Sequence, residues 1–204
     1  MSVAKVKYFS LVLLVIWVLL SLSSCSSPCK KYLGKWPLVR PETLVKVPKP
    51  IPAIQRRAYD LCLLQTHDVQ VIQLGQTWRF ILPSDTLFEN ETAEIRDDYK
   101  PILNIIADFM CTYSKISVEV AGYANHSADD VMTKFGSLAD QRTERQAVSV
   151  EKYLVKRGIN SRLIYAVGRG NHKAIAWNGS EAGRRLNRRV EISFRYYRDN
   201  TAWY

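Results

Sequence analysis

Ala182-Gly183-Arg184-Arg185-Leu186-Asn187-Arg188-Arg189-Val190-Glu191-Ile192 runs from a cluster of arginines straight into a strand. Val190, Ile192 and Phe194 alternate with Glu191, Ser193 and Arg195, which is the period-two pattern of a strand with one apolar face. Upstream, the apolar spacing changes period repeatedly. Leu163 to Val167 reads as a strand broken by Gly168-Arg169-Gly170. A helix is expected from about Leu138 to Arg157, with Ala147, Val150 and Leu154 as its buried stripe. Ser137 and Asp140 make its N-terminal cap and Gly158 its stop. Ile116, Val118, Val120 and Gly122 alternate with Ser117, Glu119 and Ala121 as another strand. From Tyr99 to Cys111, Ile102, Ile105, Ile106 and Phe109 fall at helical spacing, with Pro101 in the first turn. Val69 to Leu74 and Thr77 to Leu82 read as a hairpin turning at Gly75-Gln76 and ended by Pro83-Ser84-Asp85. Asn125 to Gly136 is a polar loop, and Asn171 to Gly183 is loop or short helix. Strands alternating with helices predict a small α/β sandwich, a mixed sheet with helices on one face.

The N-terminal part has a different character. Lys5 and Lys7 precede an uncharged run from Phe9 to Leu22, followed by Ser23-Ser24-Cys25. A basic start, a short apolar core and small residues before a cut site make a secretory signal peptide. The run is shorter than the ~20 residues a membrane span prefers. Leu22-Ser23-Ser24-Cys25 resembles a bacterial lipobox, which implies cleavage before Cys25 and a lipid on its sulfur. Ser26, rather than Asp, follows the cysteine, and in Gram-negative lipoproteins that implies the periplasmic face of the outer membrane. The expected organisation is a signal peptide over 1–24, a Pro-rich tether over 25–58, the folded domain over 59–198 and a tail over 199–204. The tether carries Pro28, Pro37, Pro41, Pro48, Pro50 and Pro52 and extends at ~3.1 Å per residue where polyproline-like. Arg56 to Gln65 reads as a helical lead-in.

The 204 residues include 29 Lys and Arg against 19 Asp and Glu, a formal net charge of +10, and 47% apolar residues. That balance suits a globular domain with anionic partners such as headgroups or cell-wall carboxylates, while export argues against nucleic acid. Cys62 and Cys111 sit in apolar surroundings and are expected to pair in an oxidising compartment, with two separately buried thiols as the alternative. Cys29, beside the anchor, is either free or paired with another chain. The Cys and His spacings make no metal pattern, so no metal or cofactor is expected. His67, His126 and His172 stand without a nucleophile, and Ser84 is not in a nucleophile elbow, so no catalysis is expected.

Taken together, the segments resemble the C-terminal, peptidoglycan-associated domain of the OmpA family over about Val69 to Tyr196. The resemblance is carried by Leu82-Pro83-Ser84-Asp85 with Leu87-Phe88, by Val118-Glu119-Val120-Ala121-Gly122-Tyr123, and by Val150-Glu151-Lys152-Tyr153-Leu154 with Gly158-Ile159. Its most specific part is Asn187-Arg188-Arg189-Val190-Glu191-Ile192. It implies the α/β sandwich and non-covalent binding of the diaminopimelate side chain of the cell-wall stem peptide. That group carries an ammonium and a carboxylate on one carbon. A carboxylate of the protein takes the first and a guanidinium the second, ideally bidentate. The family places an Asp after the strand ending near Gly122 and an Arg in the following helix.

Here the Asp position is Asn125, which brings no charge. The helix Arg falls on Gln146 when counted back from Tyr153-Leu154 and on Arg142 when counted forward from Leu138. The two differ by one helical turn and share a face. Asp129 or Asp130 either replaces the missing carboxylate or is a solvated loop residue. Asn187 and Arg188 match the family motif as ligand contacts or as a brace for the pocket. Val69-Gln70-Val71-Ile72-Gln73-Leu74-Gly75 before Leu82-Pro83-Ser84-Asp85, with Gly122-Tyr123 in place of Gly-His, further resembles the OmpA-type lipoproteins of Dot/Icm type IVB secretion systems. That resemblance implies partners among other secretion-complex proteins. The expected roles are either wall anchor or scaffold subunit.

Overall fold

The computed structural model describes residues 52–67, 69–89, 92–126, 131–134 and 136–197. The expected signal peptide, Cys25, Cys29, most of the tether, Asp129, Asp130 and the tail lie outside them.

The chain builds α1 (Ala53–Thr66), β1 (Gln70–Leu74), β2 (Thr77–Pro83) and the single turn α2 (Ser84–Leu87). A 3-10 turn (Asp97–Tyr99) leads into α3 (Lys100–Cys111) and then β3 (Lys115–Tyr123). The short strands β4 (Met132–Thr133) and β5 (Gly136–Ser137) precede α4 (Leu138–Lys156). β6 (Ile164–Gly168), α5 (Glu181–Asn187) and β7 (Arg189–Tyr196) complete the chain. The main sheet has the order β1-β2-β7-β3-β6. β3 and β6 are parallel and the other pairs antiparallel, so the sheet is mixed as expected.

The alternation read in the sequence decides the two faces. Trp78, Phe80 and Leu82 of β2, Val190, Ile192 and Phe194 of β7 and Val118 and Val120 of β3 are buried on the core side. They meet Ile102, Leu103, Ile106, Phe109 and Met110 of α3 and Ala147, Val150 and Leu154 of α4. Phe109 stands at the centre, edge-on to Trp78 at 5.2 Å and to Phe80 at 5.5 Å between ring centroids, geometries that aromatic pairs prefer. The opposite face carries charge. Glu191 accepts from Arg189 at 2.8 Å and pairs with Arg79 at 3.3 Å. Glu119 accepts from Arg169 at 2.7 Å and from the Tyr165 hydroxyl at 3.0 Å. Burial pushes the Glu119 carboxyl up, but these two donors outweigh it and hold its pKa below the ordinary value.

α4 begins where the cap predicted it. Asp140 N–H donates to Ser137 Oγ at 3.0 Å and Ser137 N–H donates to Asp140 Oδ2 at 3.2 Å. Its seat on β3 and β6 depends on two glycines. A Cβ on Gly122 would run into the Thr143 carbonyl, and one on Gly168 into the Asp140 carbonyl, so the helix backbone lies directly on the strands. That contact fixes which α4 side chains reach the C-terminal end of β3.

Two expectations are corrected and two are sharpened. α1 begins at Ala53 and buries Leu63 and Leu64, with Leu64 in the main core, so it is part of the domain rather than a lead-in. Arg57 fastens it to the end of α3, donating to Thr112 Oγ1 at 2.9 Å with its guanidinium 3.7 Å above the Tyr113 ring. The expected tether boundary at residue 58 falls inside this helix. β2 ends at Pro83, as expected, and Ser84 and Asp85 open the single turn α2. The Asn171 to Gly183 segment is loop and then short helix, within the expected alternatives; α5 starts at Glu181 and runs on to Asn187. Finally, Cys62 and Cys111 are not bonded to each other. Cys62 is buried and takes part in a disulfide, whereas Cys111, the last residue of α3, is a free and exposed thiol. The apolar residues flanking Cys111 marked the core face of α3, but Cys111 itself lies on the outer face.

Candidate functional site

A surface groove of about 390 Å³ opens at the C-terminal end of β3. It is lined by Ser84, Asp85, Phe88, Arg96, Tyr123, Ala124, Arg142, Thr143, Gln146 and Arg188. Five segments meet there: α2 and the residue after it, the loop before the 3-10 turn, the end of β3, the first half of α4 and the α5–β7 junction. The lining is dominated by charge, with three guanidinium groups and one carboxylate.

Arg188 is the best-anchored of these. It donates to both Asp85 oxygens, from Nε at 2.8 Å and from Nη2 at 2.7 Å, and from Nη2 to Glu181 at 3.0 Å. Asp85 pushes the Arg188 pKa up from its ordinary value; partial burial opposes the rise and Glu181 adds to it. Arg96 makes a similar fork onto Asp98, at 3.1 and 3.0 Å. Arg142 and Gln146 do share a face of α4, one turn apart, and both line the groove. Gln146 is buried and donates through Nε2 to the Thr92 carbonyl at 3.0 Å, so it ties Thr92 to α4. Thr143 lies between them, donating back into its own helix and accepting from Gly170 N–H at 3.1 Å.

Of the expected ligand residues, Arg142, Gln146 and Arg188 are brought together. Asn125 is not a lining residue; it follows Ala124, which is, and its Nδ2 donates to the His126 carbonyl at 3.3 Å. Asn187 also lies away from the groove. It is fully buried and acts as the brace: Oδ1 accepts from Ile175 N–H at 2.8 Å and Ala176 N–H at 3.0 Å. Its Nδ2 donates to the Ala176 carbonyl and to Asn178 Oδ1, both at 2.9 Å. Of the two readings of this position, the geometry fits the brace, because the amide's four bonds leave no capacity for a ligand.

Sequence reasoning did not single out Ser84, Asp85 or Arg96 as lining residues. Ser84 and Asp85 were visible as part of Leu82-Pro83-Ser84-Asp85, but nothing local shows that the turn after β2 meets the turn before β7. That proximity comes from β2 and β7 pairing in register, Pro83 opposite Arg189. Among the described residues, no group of three or more His, Cys, Asp or Glu side chains could hold a metal ion.

The fold and groove define an α/β sandwich module with a charged surface groove at the C-terminal end of β3. The chain belongs to the OmpA family, whose model matches residues 87–188. It is 34% identical to outer membrane porin F of Pseudomonas fluorescens over 109 residues, which are 53% of this chain and 32% of that protein. It is 27% identical to the outer-membrane lipoprotein YfiB of Pseudomonas aeruginosa over 135 residues, covering 66% of this chain and 76% of YfiB. The chain therefore spans about a third of porin F but most of the lipoprotein. Among solved structures, the cell wall anchor of the T6SS from Pseudomonas aeruginosa superposes with a TM-score of 0.58 at 26% identity. It covers 71% of this chain and 97% of that chain.

Proposed function

We propose that this chain is an outer-membrane lipoprotein, anchored through Cys25, whose periplasmic OmpA-like domain fastens an envelope complex to peptidoglycan by binding the diaminopimelate stem peptide without chemistry. The observation that carries this reading is the groove, where Arg142, Arg188 and Asp85 stand around a space of about 390 Å³. Arg142 is the receiver of the ligand carboxylate. On the amine side the groove offers Asp85, both of whose oxygens already accept from Arg188. Similarity to a cell wall anchor and to an outer-membrane lipoprotein supports the same reading. The complex it serves is a type IVB secretion machine, on the resemblance of the Val69–Gly75 and Leu82–Asp85 segments.

The test is co-sedimentation of the full chain, in detergent, with purified sacculi. Arg142→Ala is expected to lower the sedimented fraction several-fold, since a hydrogen bond to a charged group contributes ~1.5–3 kcal/mol. For the anchor, Cys25→Ala is expected to abolish acyl labelling and leave the signal uncleaved; labelled lipid on that variant defeats the claim.

A second reading has its own support. Gln146 is engaged by Thr92, Arg188 by Asp85 and Glu181, and Asn125 lies off the lining. A pocket satisfied by its own residues suits a scaffold subunit held by protein contacts. Unchanged sedimentation in Arg142→Ala, with little in the parent chain, favours this reading.

A further inference from the structure

Trp177 is 77% exposed, the most exposed large apolar side chain among the described residues. Its surroundings nevertheless hold it in place. Asn187 fastens the backbone just ahead of it, at Ile175 and Ala176. The Trp177 carbonyl lies where a Cβ on Gly183 would stand, and the indole lies where a Cβ on Gly179 would stand. Asn178 Oδ1 accepts from Asn187 Nδ2 at 2.9 Å and from His126 N–H at 3.3 Å. A buried brace and two glycines therefore hold a large ring out in solvent. A ring displayed in this way has little freedom left to lose on binding, which is how rigid aromatic anchors gain affinity.

The hydrogen bond from His126 to Asn178 joins this ring to the end of the groove. Ala124 lines the groove, and Asn125 and His126 follow it. The His126 ring in turn meets Asn171 Nδ2 at 3.2 Å. Asn125 Nδ2 and Asn178 Oδ1 are engaged, but Asn125 Oδ1, Asn178 Nδ2 and His126 Nε2 make no hydrogen bond among the described residues. The groove is thus charged, whereas the rim beyond Ala124 offers an aromatic face with amides and an imidazole. That combination suits a ligand of uncharged rings bearing hydroxyl and acetamido groups. The C–H face of a pyranose covers an indole, and its substituents exchange hydrogen bonds with amides that both donate and accept.

We propose that Trp177, with Asn178, Asn125 and His126, forms a subsite for the amino-sugar backbone of the wall, next to the groove that takes the stem peptide. The proposal rests on the stem-peptide reading given above and extends it from a peptide to a glycopeptide. The spacing agrees. Diaminopimelate is the third residue of the stem, and three residues reach ~10 Å from the sugar that carries them. His126, which holds Asn178, is two residues beyond Ala124, a reach of at most ~7 Å. One glycopeptide can therefore occupy the charged groove and the aromatic rim together.

The test uses the full chain in detergent and two synthetic probes, titrated calorimetrically. The first is the stem tripeptide ending in meso-diaminopimelate, capped by an N-lactoyl group. The second is the same tripeptide joined through that group to the N-acetylglucosamine–N-acetylmuramic acid disaccharide, so both carry the same charges. The disaccharide is expected to tighten Kd about tenfold, the range for one aromatic contact with one or two neutral hydrogen bonds. Trp177→Ala is expected to abolish most of that advantage and to leave the Kd of the sugar-free tripeptide within about twofold of the parent's. Equal Kd values for the two probes in the unaltered chain, an advantage that survives Trp177→Ala, or a loss shared equally by both probes in that variant overturns the sugar subsite while leaving stem-peptide binding intact. Failure of the unaltered chain to bind either probe overturns both.

Discussion

Asn187→Ala is expected to lower the stability of the domain by about 3–5 kcal/mol, the combined effect of removing an amide with several buried partners. The side chain is fully buried and makes four hydrogen bonds, two accepted and two donated. Alanine leaves Ile175 N–H, Ala176 N–H and the Ala176 carbonyl unpaired, and it opens a gap at the α5–β7 junction. The loop from Asn171 to Ser180 then loses its fastening, and the position of Arg188, the next residue, loosens with it. Chemical denaturation with a linear extrapolation measures the loss. Asn187→Asp supplies a control. It keeps the acceptor for Ile175 and Ala176 but removes both donors, so the cost should include an uncompensated charge as well as the two lost bonds. A loss below about 1 kcal/mol in Asn187→Ala would show that the brace is not what holds the loop.

Gly122→Ala is also expected to be damaging, by overpacking. A methyl group there meets the Thr143 carbonyl, a backbone atom that no rotamer change can move. The helix has to lift from β3, and forced shifts of this kind cost about 1–3 kcal/mol or more, a fall in Tm of roughly 5–10 °C for a domain of this size. Because Arg142, Thr143 and Gln146 ride on that helix, the groove should lose ligand in step with stability. Gly75→Ala is the comparison. Gly75 has a φ of 57° with nothing near its Cβ position, so its substitution carries only the backbone strain of a hairpin turn, about 1 kcal/mol. Equal melting temperatures for the two variants would contradict the close-contact account.

The framework was largely legible in the chain. The alternation through Val190, Ile192 and Phe194, the helical spacing of Ile102, Ile106 and Phe109, and the Ser137 cap each report a local requirement that the tertiary structure then honours. The sheet order was not legible, because β7 lies between β2 and β3 and nothing in its own sequence names those neighbours. The site was half legible for the same reason. Arg142 and Gln146 share one helix and could be read from spacing. Ser84, Asp85 and Arg96 reach the groove only through the pairing of β2 with β7 and the bridge of Phe88 to Ile95. Cys62 and Cys111 show a further limit: apolar neighbours marked each helix as packed, but only the helix's rotation decides which side a given thiol faces.

The central claim is that the groove holds the wall. Its most direct measurement is sedimentation of the full chain with purified diaminopimelate-containing sacculi, with and without excess free stem tripeptide. The account predicts that the chain pellets with the sacculi and that the tripeptide returns it to the supernatant. A chain that stays in the supernatant, or pellets regardless of the tripeptide, would contradict it.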